Sequence, residues 1–163
     1  MILPLPLKEK IASKLKAGDF VAIYGKVMVA RDLTLEKMSV EKKTDVLKRA
    51  LIYYCGPVIV DGKVVSAGPT TSSRMDSSAG KLVSSGVRGI MGKGKIGQEA
   101  MNALKGKCVY FEAPGGCGAL LASKIIKHRI IAYSRLGAQA LMEFTVKDFP
   151  ALVAFDIRGR HIW

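Results

Sequence analysis

The sequence predicts one mixed α/β (α+β) domain over residues 1–163, a mixed sheet with flanking helices, and three observations carry that expectation. The 163 residues are about one domain's length, enough to bury roughly 70% of the unfolded surface. Hydrophobic residues make up 49% of the chain, which excludes a disordered polar polypeptide. In the second half, short apolar stretches at 87–91, 108–112, 130–133 and 152–156 alternate with helical ones near 97–104, 117–126 and 136–142. That βαβ rhythm implies a partly parallel sheet covered by helices, with glycine-rich loops at the strand ends where open sheets bind ligands.

The first half is richer in strands. Residues 1–18 read as an extended arm and a short amphipathic segment stopped by Gly18 and Asp19. Strands follow at 20–25 and 27–29, then a stretch of helical spacing from Arg31 to about Ala50. Residues 51–55 form a buried-type strand ended by Gly56 and Pro57. A hairpin comes next, strands 58–60 and 63–67 about a turn at Asp61-Gly62.

Composition narrows the function. Formal net charge is +13, yet the basic stretches (Lys8, Lys10, Lys14, Lys16; Lys42, Lys43, Lys48, Arg49) lack interleaved aromatics and read as solvated faces. An acidic protein partner is the second reading of that charge; nucleic acid is not expected. No apolar run approaches the ~18 residues a membrane span needs. The N-terminus has neither a basic n-region nor a cleavage site, so a cytoplasmic protein is expected. Cys55, Cys108 and Cys117 match no iron–sulfur spacing, and His128 and His161 have no ligand companion; no metal site is expected within the chain.

Four segments can carry chemistry. Gly68-Pro69-Thr70-Thr71-Ser72-Ser73-Arg74 places four hydroxyls and an arginine on a turn entering a helix, which suits either an anion or a plain cap. Gly92-Lys93-Gly94-Lys95-Ile96-Gly97 satisfies the dinucleotide pattern GxGxxG, with Glu112 where a ribose-binding acid would stand. The same loop also reads as a lysine presented to another anion, or as a tight turn. Pro114-Gly115-Gly116-Cys117-Gly118 is a turn for close backbone approach, with Cys117 either activated at a helix start or simply a small packing residue. Arg31-Asp32 ends a strand and alone reads as an exposed ion pair.

In this order, the four segments resemble the β-subunit or C-terminal domain of class I (iron–sulfur) fumarate hydratases and the related L-tartrate dehydratases. The residues that carry the likeness are Val29-Ala30-Arg31-Asp32, Gly68-Pro69-Thr70-Thr71-Ser72-Ser73-Arg74-Met75, Met91-Gly92-Lys93-Gly94, Pro114-Gly115-Gly116-Cys117-Gly118 and Asp148-Phe149-Pro150-Ala151. The resemblance covers nearly the whole chain. It implies a swivelling β/β/α domain that joins a larger α-subunit, in an α2β2 assembly, and it implies that this partner holds a [4Fe–4S] cluster. It implies further that Thr70 is the catalytic base, that Arg31 and Arg74 bind substrate carboxylates, and that Lys93 faces the same dicarboxylate, fumarate or malate. Where the family usually has histidine after Arg-Asp-x-x, this chain has Leu35.

Overall fold

The computed structural model describes residues 1–41 and 45–163; part of the helical stretch expected at 31–50 therefore lies outside the described residues. In chain order the elements are β1 (Ile2–Pro4), α1 (Glu9–Ala12), β2 (Phe20–Val29), α2 (Asp32–Glu41), β3 (Leu51–Tyr53), β4 (Val58–Val60) and β5 (Lys63–Ser66). They continue with α3 (Asp76–Ser84), β6 (Gly89–Gly92), α4 (Gln98–Leu104), β7 (Val109–Glu112), α5 (Gly118–Ala122), β8 (Ile125–Ala132) and β9 (Leu141–Phe155).

Strands β1, β2, β3, β6 and β7 run parallel in that spatial order. β9 returns antiparallel along almost all of β2, pairs on its way with β8, and reaches β7 with its last residues. Leu152 stands opposite both Phe20 of β2 and Glu112 of β7, so the sheet closes on itself.

Because side chains alternate across a strand, this closure makes two cores. Leu51, Tyr53, Cys55, Met91, Val109 and Phe111 face inward, toward Phe144, Val146 and Phe149 of β9, with the Tyr53 and Phe149 rings packed edge to face, centroids 5.5 Å apart. Their neighbours Ile52, Tyr54, Ile90 and Tyr110 face the other way, toward Leu35 and Met38 of α2, Leu82 of α3 and Ala100 and Leu104 of α4. Antiparallel sheet, parallel sheet and helices thus stack as β/β/α. Strands buried on both faces read as continuous apolar runs, which is why 51–55 and 108–111 carry no polar alternation. The N-terminal arm plugs the inner core with Leu3, Leu7 and Leu15. It lies so close to β2 that a Cβ on Gly25 (φ +119°) would come within 3.0 Å of Leu5.

The hairpin at Asp61-Gly62 and the strands at 51, 89 and 109 form as the sequence predicts. The last third does not. The helix expected at 117–126 stops at Ala122, and the one expected at 136–142 is a 3-10 segment, Ser134–Gln139, with Met142 already in β9. The last two expected strands, 130–133 and 152–156, belong to β8 and to the tail of the 15-residue β9, paired antiparallel rather than through a βαβ crossover. Asp148 and Pro150 are residue types that strands disfavour. In the fold, residues 147 and 148 bulge (Asp148 φ 53°), and pairing with β2 resumes at Phe149. Long-range pairing there overrides local preference.

Asp156 closes the barrel's end. Its buried carboxylate accepts from the backbone of Ala17, Arg158 and Arg160 and from the Arg160 guanidinium at 2.7 Å. Burial works against its charge, but those donors outweigh it and hold the carboxyl below the usual range. Arg129 first, and then Lys26, does the same for Glu143 on β9 against the cost of burial. Depressed folded values mean stabilisation that is complete at neutral pH and is lost as pH falls through the carboxylate range. Urea unfolding is expected to show stability falling below about pH 4, with Asp156→Asn costing about 1–3 kcal/mol at pH 7 and flattening that acid limb. Phe149→Ala, which empties the centre of the inner core, is expected to cost about 3–5 kcal/mol at any pH.

Candidate functional site

The parallel strands all end on one rim, and backbone hydrogen bonds continue past each end. Beyond β2, Ala30 N–H reaches Tyr53 O at 3.2 Å, which leaves Arg31 at the lip. Beyond β3, Tyr54 O accepts Thr70 N–H at 2.7 Å and Cys55 bridges Pro69, so the hydroxyl-rich segment lies along the end of β3. Beyond β6, Lys93 N–H reaches Thr70 O at 3.2 Å and Ser72 N–H returns to Lys93 O at 3.0 Å. Ala113, past β7, donates to Gly92 O.

Arg31, Thr70, Arg74 and Lys93 all start from this rim, in two linked pairs. Thr70 and Lys93 are backbone partners. Arg31 and Arg74 meet at Asp32, the first residue of α2: Arg74 is ion-paired with its Oδ2, and Arg31 Nε stands 4.0 Å from its Oδ1. Both facing atoms, Arg31 Nε and Asp32 Oδ1, are buried without a hydrogen-bond partner. Arg31 is largely covered and Arg74 half exposed. Arg31 lies against Gly56, where a Cβ would stand 2.5 Å from its Nη1. The Lys93 side chain passes over Gly115, and a Cβ there would come within 3.1 Å of its Cδ. Among the described residues, no protein group hydrogen-bonds the Thr70 hydroxyl or pairs with the Lys93 ammonium.

Two glycines of the 92–97 loop serve packing, and the third, Gly94, serves a turn at φ +77°. A Cβ on Gly92 would overlap Ser72 Oγ, and one on Gly97 would stand 2.6 Å from Asp76 Oδ2. Asp76 accepts the Gly97 N–H at 2.7 Å, the amide a pyrophosphate would need at the start of α4. Burial, countered in part by that bond, raises the Asp76 carboxyl above its usual range. Glu112 meanwhile accepts from the Trp163 indole. With a carboxylate already on the helix start, the geometry favours a lysine-presenting turn over a dinucleotide loop. Gly118 likewise lets α5 approach β5, since a Cβ there would overlap Ser66 Oγ.

The cysteines do not fit an iron–sulfur cluster. Cys55 faces the inner core and Cys108 the helical layer, on opposite sides of the parallel sheet, while Cys117 precedes α5. Burial pushes the Cys55 thiol up to about 12 despite the neighbouring Arg31, and raises the Cys108 thiol too. No described group of His, Cys, Asp and Glu could hold a metal. No helix among the described residues is long and apolar enough to cross a membrane.

The sequence proposed Arg31, Thr70, Arg74 and Lys93, which the structure brings to one rim, and gave Asp32 no more than an exposed ion pair. It did not foresee the contacts that Gly56, Ser72 and Tyr110 make with the rim segments. Tyr110 sits in an apolar strand where nothing marks it, and its contacts are long-range.

The ends of the parallel strands of this β/β/α domain thus carry one rim lined by Arg31, Arg74 and Lys93. The fumarase C-terminus family model matches residues 3–163, and the chain belongs to that family. It is 36% identical to the putative L(+)-tartrate dehydratase subunit beta of Methanocaldococcus jannaschii, over 96% of this chain and 88% of that protein. It is 34% identical to a putative class I fumarate hydratase of Geobacillus stearothermophilus and to the anaerobic class I fumarate hydratase of Escherichia coli, covering 98% and 94% of this chain. The chain spans only 33% and 30% of those two longer enzymes.

Gly92→Ala tests the close approach on which the rim depends. With Ser72 and Tyr54 fixed against it, thermal unfolding is expected to show a loss of about 1–3 kcal/mol, whereas Gly94→Ala meets open space and loses less, its cost confined to the positive φ of +77°.

Proposed function

We propose that this chain is the β-subunit of a two-component hydro-lyase that reversibly hydrates fumarate to (S)-malate in the cytoplasm. In this reading residues 1–163 act as one domain and a larger α-subunit completes the site in an α2β2 assembly. The [4Fe–4S] cluster belongs to that partner, consistent with cysteines here that cannot converge. The observation that carries the reading is the rim itself: two arginines, a lysine and an unpartnered threonine hydroxyl on adjoining strand ends, in a family whose relatives are named as hydratases and dehydratases.

The chemistry asks for this set. Removing a proton from the carbon next to a carboxylate pushes the electron pair into that carboxylate and makes an aci-carboxylate dianion. Preorganised cations in a site closed to water stabilise such charge far more than exposed ones do. Arg31 and Arg74 bind the two ends of the trans-dicarboxylate. The slack Arg31–Asp32 contact leaves guanidinium donors for the ligand, and a carboxylate accepts two parallel N–H bonds from such a fork. Lys93 adds a third positive charge. The Thr70 oxygen takes the carbon-bound proton in the dehydrating direction and returns it in hydration. A threonine hydroxyl is a poor base in water, so Thr70 acts only where these cations and a partner carboxylate lower the cost of its alkoxide.

The test is co-purification with the α-subunit under anaerobic conditions, followed by hydration of fumarate and dehydration of L-tartrate in parallel. Fumarate turnover with the larger kcat/KM supports the reading; preference for tartrate assigns the chain to the tartrate branch. A complex inactive on both sinks the proposal. Thr70→Ala is expected to lower kcat by about 10²–10⁴-fold, and unaltered turnover in that variant would remove Thr70 from its role. Gly56→Ala displaces the Arg31 side chain, whose Nη1 and Cδ would lie 2.5 and 3.2 Å from the new Cβ, and touches no backbone. It is expected to fold normally and raise KM for the dicarboxylate roughly tenfold, the effect of weakening one charge-assisted hydrogen bond.

A further inference from the structure

We propose that Tyr110 and Ser72 are positioning residues that lock Lys93 through one directed chain of hydrogen bonds, a role that rests on the reading of Lys93 above. Three distances define the chain. Lys93 N–H lies 3.1 Å from Ser72 Oγ, Ser72 Oγ lies 2.9 Å from Tyr110 Oη, and Tyr110 Oη lies 2.8 Å from Gly94 O.

The proton inventory fixes the direction. Gly94 O can only accept, so the single phenolic proton of Tyr110 goes there. Tyr110 Oη must then accept from Ser72, whose oxygen is left to accept the Lys93 amide. The order is Lys93 N–H to Ser72 O–H to Tyr110 O–H to Gly94 C=O, with each hydroxyl proton used once and the Lys93 amide shared between Ser72 Oγ and Thr70 O. Its two ends grip the backbone immediately before and immediately after the Lys93 side chain.

Independent features reinforce the grip. Ser72 N–H also holds Lys93 O, so this residue is bound from both its amide and its carbonyl. Ser72 is wholly buried, as is Tyr110, and burial pushes the Tyr110 phenol upward, so it stays protonated and donating. The Cβ that glycine lacks at position 92 would occupy the place of Ser72 Oγ. Gly94, at φ +77°, turns its carbonyl back to Tyr110. A buried network in which each member is satisfied confers a single geometry, and breaking one member leaves the others unpaired. The loop thereby presents the ammonium with its backbone already fixed.

The experiment pairs two readouts on Tyr110→Phe, which keeps the ring in the helical core, and on Ser72→Ala, which does not touch that ring. In the full chain, amide hydrogen exchange at Lys93 is expected to quicken about tenfold or more in both variants, with β9 amides within about twofold of wild type. In the complex with the α-subunit, Tyr110→Phe is expected to raise KM roughly tenfold in the parent and to add nothing in Lys93→Ala, since residues acting through one group are non-additive. Unchanged Lys93 exchange in both variants overturns the clamp. Faster exchange with effects that simply add across the Tyr110–Lys93 cycle overturns the positioning role. A wild-type complex with no hydratase activity overturns the hydro-lyase reading instead, and the exchange result still decides whether the clamp exists.

Discussion

A single strand holds this molecule in register. β9 pairs with β2 for most of its 15 residues and then with β7, so it spans the sheet from one side of the parallel array to the other. Without that return, β2 and β7 would be edges of an open sheet, and the side chains of Tyr53, Phe111 and Phe149 would face water. Closure gives the parallel strands two apolar faces and makes the β/β/α order a consequence of alternation along each strand. It also fixes the angular spacing of the strand ends. The rim's residues stand next to one another because β2, β3 and β6 do.

At the rim the fold works by backbone rather than by side-chain packing. Thr70, Ser72 and Lys93 are connected through main-chain groups, and the glycines at 56, 92 and 115 mark places where a side chain would fill ground taken by another residue. A site assembled this way has few degrees of freedom. Thr70 and Lys93 leave from backbone held by a neighbouring strand end, and Arg74 follows from the 3-10 turn Ser72–Met75 that begins at the held Ser72.

Much of this was readable from the chain. Alternation, the Asp-Gly turn and the apolar runs at 51 and 108 report local forces, and they located β3, the hairpin and β7. Arg31, Thr70, Arg74 and Lys93 became candidates through the family resemblance of the segments that hold them, since local composition alone left each segment with a plain structural reading. What escaped depends on distant partners. β9 contains Asp148 and Pro150, strand-disfavouring residues accommodated by the bulge and the long pairing with β2. Tyr110 looks like any core aromatic until the Gly92 loop folds over its hydroxyl. Gly56 looked like the end of a strand, yet its missing side chain is where the Arg31 guanidinium lies.

Asp32 shows why two arginines can share this rim before any substrate arrives. Adjacent guanidinium groups repel, and burial of Arg31 sharpens that repulsion because the interior screens charge poorly. One carboxylate between them removes the net repulsion, and its tight bond is to Arg74, the more exposed partner. Exposed pairs of this kind contribute at most about 1 kcal/mol to stability, so the arrangement matters little for folding. Its consequence is geometric. Arg74 is tethered beside the rim, while Arg31 keeps a buried, unpaired Nε in a contact stretched to 4.0 Å. A buried donor without an acceptor is a standing cost in the free protein. Arg31 Nε and Asp32 Oδ1 carry that cost together, facing each other across a gap just too wide for a hydrogen bond.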